Sequence, residues 1–146
     1  MSTNTGQEEI MTEPNPRIVG IHTVGVPVSD QDRAVEFYVG MLAFEKRMDV
    51  PVEQLGGRWI VVAPAGSSTT LALVPARADL PAGVETGIRL ATEDATALHA
   101  DLQDRGVDVG QLLTWPGVPP MFALRDQDGN GFSITEVSTH HEENSQ

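Results

Sequence analysis

The sequence predicts an α+β protein in which one β-α-β-β-β order occurs twice. Two observations carry this. Strand-like and helix-like segments follow one another in the same order on both sides of a central linker. An aspartate stands at the strand-to-helix junction of each half, Asp30 in the first and Asp94 in the second. A half of this size leaves one sheet face unburied unless it finds a partner, so the halves are expected to pair.

The first half opens with "RIVGIHTVGVPV", from Arg17, where small or polar residues alternate with Val24, Val26 and Val28, the pattern of a strand. "SDQDRAVEFYVGML" follows. Ser29 or Asp30 is suited to cap a helix on which Ala34, Val35, Phe37, Tyr38 and Leu42 recur at helical spacing. "AFEKRMDVPVE", "GGRWIVVAP" and "TTLALVP" read as three strands, separated by turn signals at Gly56-Gly57 and "AGSS". "ARADLPAGVE" reads as a linker. "TGIRLAT" then gives a strand, and "EDATALHADLQDRG" a helix with Leu98 and Leu102 inward and Gly106 ending it. "VDVGQLLTW", "PMFALRD" and "GFSITEVS" complete the second set. The expected organisation is a polar N-terminal tail at 1–16, one domain at 17–138 and a C-terminal tail at 139–146. Within the domain, the first module covers 17–75, the linker 76–83 and the second module 84–138. His140 and His141 fall on the second tail and read as solvated residues.

Composition narrows the function. There is no cysteine, which removes disulfides, cysteine nucleophiles and thiolate metal sites. With 21 acids against 9 bases the net charge is −12, which repels nucleic-acid phosphates and anionic lipid. The first ten residues carry acids where a signal peptide would carry bases, and no apolar run reaches the roughly 18 residues of a membrane helix. A cytoplasmic protein with no nucleic-acid or membrane partner is expected.

Three segments, "VGVPVSDQDRAVEFYVGML", "GIRLATEDATALHADLQDRGVDV" and "RDQDGNG", give the chain a resemblance to the vicinal oxygen chelate superfamily, from about residue 18 to 138. That group includes glyoxalase I, extradiol dioxygenases, fosfomycin-resistance enzymes and bleomycin-binding proteins. The resemblance implies two paired βαβββ modules forming a cup-shaped mixed sheet with helices outside, and a homodimer that closes the cup further. Its metal-dependent members hold the ion on the cup face with four histidine or glutamate ligands, from the first and fourth strands of each module. Carried onto this sequence, those positions are Thr23, Ala72, Gly87 and Ser133. Threonine and serine are weak neutral donors, alanine and glycine supply no side-chain ligand, and a catalytic site needs about three protein ligands. No metal and no cofactor is therefore expected. His22 and Glu136 lie close to two of the positions but with the wrong strand parity, so only a β-bulge would bring either into the cup.

If the four positions face inward, parity adds Gly25, Pro27, Thr70, Val74, Arg89, Ala91 and Thr135 to the same face. Mostly small, these residues leave room for an organic ligand. Arg89 would offer a planar five-donor fork to an anion, or make an internal salt bridge to one of the many acids. "TWPGVPPMF" reads as a stiff loop whose Trp115, Met121 and Phe122 form a binding rim or cover a sheet end. Trp59 belongs to a cup wall or an interface. His99, on the second helix beside Leu98 and Leu102, has no identifiable partner and reads as a flanking surface residue. "DQDGNG" lacks the closing glutamate of a calcium loop and reads as a hairpin turn with Gly129, Asn130 and Gly131 tolerating positive φ.

The reading is a metal-independent small-molecule-binding protein of the glyoxalase/bleomycin-resistance type, sequestering an antibiotic or a toxic metabolite. Its ligand-binding residues are Thr23, Trp59, Ala72, Gly87, Arg89, Trp115, Met121, Phe122 and Ser133. The alternative is an enzyme of the same fold, a lyase, isomerase or dioxygenase-like catalyst, acting without metal or with displaced ligands. No catalytic residue is assigned.

Overall fold

A computed structural model of the chain describes residues 16–138; the expected tails otherwise lie outside the described residues. The first unit runs β1 (Thr23–Val28), α1 (Gln31–Val35), a π-helical stretch (Glu36–Met41), β2 (Glu45–Val52), a 3₁₀ turn (Glu53–Leu55), β3 (Gly57–Ala63) and β4 (Thr70–Pro75). The second runs β5 (Glu85–Thr92), α2 (Ala95–Asp104), β6 (Asp108–Val109), β7 (Leu113–Trp115), β8 (Val118–Arg125) and β9 (Gly131–Glu136).

Each unit has its own mixed sheet. The first is ordered β1-β4-β3-β2 and the second β5-β9-β8-β6, with β7 also on β8. The first and last long strands of each unit pair in parallel, β1 with β4 and β5 with β9, and the rest is antiparallel. The helices start where the aspartates stand. Asp30 accepts a hydrogen bond from the Arg33 N–H and Asp94 one from the Ala97 N–H, each satisfying a first-turn donor that has no intrahelical partner. Beyond Val35 the first helix widens into the π form, and the chain leaves it through Ala43 at φ 62, a left-handed conformation few non-glycine residues adopt.

One buried cluster serves both units. Val26, Val28, Ile60, Val62, Leu71 and Leu73 come from the first sheet, and Phe122, Leu124, Phe132 and Ile134 from the second. Tyr38 joins them: it is fully buried, and its ring meets Phe132 edge-on at 6.1 Å. Because strand side chains alternate, the residues between these core positions lie on the opposite face of each sheet, turned away from the shared core.

The sharpest departure from the expected elements is the loop "TWPGVPPMF". Only Pro116 and Gly117 form a turn there; Val118–Arg125 is a continuous strand that includes Pro119 and Pro120.

Candidate functional site

On the first sheet, the face away from the core carries Thr23, Gly25 and Pro27 of β1, Thr70, Ala72 and Val74 of β4, Trp59 and Val61 of β3, and Met48 and Val50 of β2. Register fixes this: Gly25 lies beside Ala72, Ala72 beside Val61, Val61 beside Met48 and Trp59 beside Val50. Trp59, whose parity sequence could not decide, therefore stands on the same wall as Ala72. The wall is apolar; Met48 and Val50 at its β2 edge are 48% and 44% exposed, whereas Ala72 at its centre is 1% exposed.

On the second sheet the equivalent face carries Gly87, Arg89 and Ala91 of β5, Ser133 and Thr135 of β9, and Met121, Ala123 and Arg125 of β8. Arg89 lies beside Ser133, Ser133 beside Ala123 and Thr135 beside Met121. Here the face is hollowed. A cavity of about 200 Å³ is lined by Gly87, Arg89, Ala123, Gly131, Phe132 and Ser133 among others. A bulge in β5 between Glu85 and Ile88 sets its edge, with Gly87 at φ 74 and nothing within 4 Å of where a Cβ would stand. Thr86 fills the bulge, donating to the Gly131 carbonyl and accepting from the Ile88 N–H.

The residues present do not fit a metal. Thr23 and Thr70 spend their hydroxyls on each other and on the sheet: Thr70 donates to Thr23 Oγ1 at 2.8 Å, and Thr23 donates to the Thr70 carbonyl at 3.2 Å. Ala72 and Gly87 have no donor atom. The left-handed φ of Gly87 also disfavours a histidine there by roughly 1–2 kcal/mol. Among the described residues, no three histidine or acidic side chains come together. Neither near candidate gathers such a set. His22 precedes β1 and is exposed, with its carbonyl accepting from Thr70. Glu136, expected as a surface carboxylate, accepts from the Ala95 N–H at 3.0 Å and so caps α2 alongside Asp94.

Two further residues depart from expectation. Phe122 does not form a rim. It is 1% exposed on the core face of β8, because continuous strand through Pro119 and Pro120 turns Met121 and Phe122 to opposite sides. His99 is not a free surface residue: its Nε2 lies 2.7 Å from the Gly110 carbonyl and its ring packs edge-on against Phe122 at 4.9 Å. Trp115 is exposed at the β7–β8 turn, and Met121 is half-buried on the concave side.

Sequence reasoning also missed what the "DQDGNG" turn does. Asp126 Oδ1 accepts from the Asp128 and Asn130 N–H groups, and Gly129 alone of the turn takes positive φ, at 84. Asn130, fully buried, makes four side-chain bonds. Its Oδ1 accepts from the Gly83 and Val84 N–H groups, and its Nδ2 donates to the Pro27 carbonyl and to Asp126 Oδ2. Tyr38 donates to the same carboxylate at 2.6 Å; burial, and then the adjacent charge of Asp126, push its phenol above the ordinary range. Burial alone would raise the Asp128 carboxyl, but hydrogen bonds from the Ser29 hydroxyl and N–H outweigh it and hold it low. The turn therefore ties the first module, the linker and the second module together. The dipeptide Asp-Gly signals only the turn.

A larger cavity, about 260 Å³, lies elsewhere, at the junction of the modules on the helix side. Phe44, Leu90, Leu98, Leu102 and Ile134 contribute to its walls. Its charged edge is already satisfied: Arg105 donates to the Met41 carbonyl at 3.0 Å and pairs with Asp101 at 3.2 Å. It lacks the unpaired polar groups that orient a ligand, whereas the concave face has them in Arg89 and the Ser133 hydroxyl, which have no side-chain partner among the described residues.

Two modules, each with a concave sheet face turned away from the shared core, define a cup protein built from a duplicated βαβββ unit. The chain belongs to the Glyoxalase/Bleomycin resistance protein/Dioxygenase superfamily, whose model matches residues 20–134. Among solved structures it is similar to TnmS3, an antibiotic binding protein from Streptomyces sp. CB03234, with 36% identity and a TM-score of 0.75 over 85% of this chain and 100% of that one. A member of the same superfamily from Sphaerobacter thermophilus DSM 20745 is 34% identical, with a TM-score of 0.74 over 82% of this chain and 98% of that one. YetH of Bacillus subtilis (strain 168) is 30% identical over 120 residues, covering 80% of this chain and 97% of YetH.

Proposed function

We propose that this protein binds a small organic molecule without a metal ion and sequesters it, as an antibiotic or a toxic metabolite, in the cytoplasm. The observation that carries the reading is the set Thr23, Ala72, Gly87 and Ser133 at the four positions where metal-dependent relatives are expected to hold their ion. None is a competent ligand, and all stand on the sheet faces turned away from the core. The similarity to an antibiotic binding protein along its whole length agrees with this role.

Both concave faces turn away from the shared core of one chain, so a closed pocket needs a second copy. In the proposed homodimer, the first-sheet face of one copy covers the second-sheet face of the other, bringing Thr23, Trp59 and Ala72 opposite Gly87, Arg89 and Ser133. Large apolar groups left exposed in the single chain support this, among them Met48, Val50, Trp115 and Val118. No helix among the described residues is long and apolar enough to cross a membrane.

A panel of antibiotics and aromatic metabolites, screened by thermal shift with and without a chelator, tests the reading, with each hit recovered and assayed by mass spectrometry. The expected hit raises Tm equally in both conditions, saturates at stoichiometric ligand, returns intact and is weakened by Trp115→Ala. Repeated conversion of the hit to product, or a shift abolished by chelator, would replace binding with catalysis. Sedimentation at micromolar concentration should give a dimer.

A further inference from the structure

We propose that the ligand carries an anionic group, such as a carboxylate, on an apolar body, and that Arg89 is the residue that reads it. The proposal rests on the binding reading above and adds its chemical class.

Among the cations on the strands Arg89 stands apart; Arg17, exposed ahead of β1, also makes no ion pair among the described residues. Six of the nine, Lys46, Arg47, Arg58, Arg77, Arg105 and Arg125, are in ion pairs, in a chain with 21 acids. Arg33 lies near Asp128. Arg89 has no acid and no hydrogen-bond acceptor for its guanidinium among the described residues. The expected internal salt bridge is not made, for a local reason. Its neighbours on the concave face are Gly87 and Ala91 along β5, Ser133 beside it on β9 and Ala123 beyond. None of these is an acid. The nearest acid along β5, Glu85, lines the same cavity but is paired with Arg125, which leaves the Arg89 guanidinium without a carboxylate.

Covering this face makes the arrangement costly. A guanidinium taken out of water without a partner is penalised by several kcal/mol, so a closed cup must supply an acceptor. The opposing wall does not: Thr23, Gly25, Pro27, Trp59, Val61, Thr70, Ala72, Val74, Met48 and Val50 include no acid. The ligand is left to supply it. A carboxylate or similar group would lie in the cavity of about 200 Å³ against the guanidinium fork and the free Ser133 hydroxyl, with the apolar body on Trp59, Val61 and Met48. The net charge of −12 repels anions at long range, so an anion preference here has to be local.

Two dyes sharing one ring system separate the parts of the proposal. 8-Anilinonaphthalene-1-sulfonate carries an anion; N-phenyl-1-naphthylamine is the same body without it. Fluorescence titration of the full chain should show the sulfonate binding about tenfold tighter or more, as a charge-assisted contact implies. That advantage should shrink as salt rises. Arg89→Gln should abolish it while leaving the neutral dye unchanged, Arg89→Lys should keep part of it, and Arg77→Gln, distant and exposed, should keep all of it. Equal affinities in the wild type, or an advantage that survives in Arg89→Gln, would overturn the anion proposal and leave small-molecule binding standing. Failure of both dyes to bind would overturn both readings.

Discussion

Replacing Asn130 with alanine should destabilise the protein more than any surface change on the concave faces. Its side chain is fully buried and makes four hydrogen bonds that the methyl group of alanine cannot make. The Pro27 carbonyl loses its Nδ2 donor in a buried setting, Asp126 Oδ2 keeps only the Tyr38 hydroxyl, and the Gly83 and Val84 N–H groups lose their acceptor in a half-buried one. An unsatisfied buried polar group costs about 1–3 kcal/mol, and the two half-buried groups regain part of theirs from water, so the total is about 3–5 kcal/mol. For a chain near 150 residues that corresponds to a fall in Tm of about 10–15 °C. Urea unfolding followed by far-UV circular dichroism reads it directly, as a lower midpoint at unchanged m-value. Asn130→Asp should be worse near neutral pH, because it sets a second carboxylate against Asp126. A loss below about 1 kcal/mol for Asn130→Ala would refute the claim that this side chain holds the modules and linker together.

Other expectations follow from the same contacts. Gly25→Leu projects into open space on the concave face, so unfolding stability should stay within about 1 kcal/mol of wild type while ligand binding is blocked; calorimetry with any hit from the screen checks both. Hydrogen bonds from Arg58 and Lys46 hold the Asp49 carboxyl at about 2, below its ordinary 3.8. A depressed carboxyl stabilises the fold above its ordinary range, and that share is lost as pH falls from 3.8 towards about 2. Asp49→Asn should therefore make Tm less steep over that window and lower it at neutral pH. Glu136→Ala removes one cap of α2 and should cost about 1 kcal/mol in urea unfolding, while Glu136→Gln keeps the acceptor and should cost less than half as much.

How much of this was legible in the sequence depends on how far apart the interacting residues lie. Val24, Val26 and Val28, the capping aspartates Asp30 and Asp94, and the glycine and proline punctuation are local signals, and they yielded the fold class and the element order, except that "VDVGQLLTW" divides into β6 and β7. The family resemblance put Thr23, Ala72 and Ser133 on the cup face, and strand parity, a local signal, added Arg89 to it. Parity was not applied to Met121 and Phe122, because the two prolines before them read as a loop; they run as strand, which turns the two side chains to opposite faces. The roles of Asn130, Glu136 and His99 stayed hidden because their partners Pro27, Ala95 and Gly110 are fixed by tertiary packing. Arg89 shows the same limit from the other side. Its lack of an acid follows from the residues beside it in other strands, and composition, with so many acids, pointed to a salt bridge.

The central claim is that the cup works without a metal. Elemental analysis of the protein, purified without chelator and then equilibrated with nickel, zinc, manganese or iron and desalted, tests it most directly. Occupancy near zero per chain is expected in every case. Close to one tightly held ion per chain, lost in His22→Ala, would contradict it and make a metal enzyme with displaced ligands the better description.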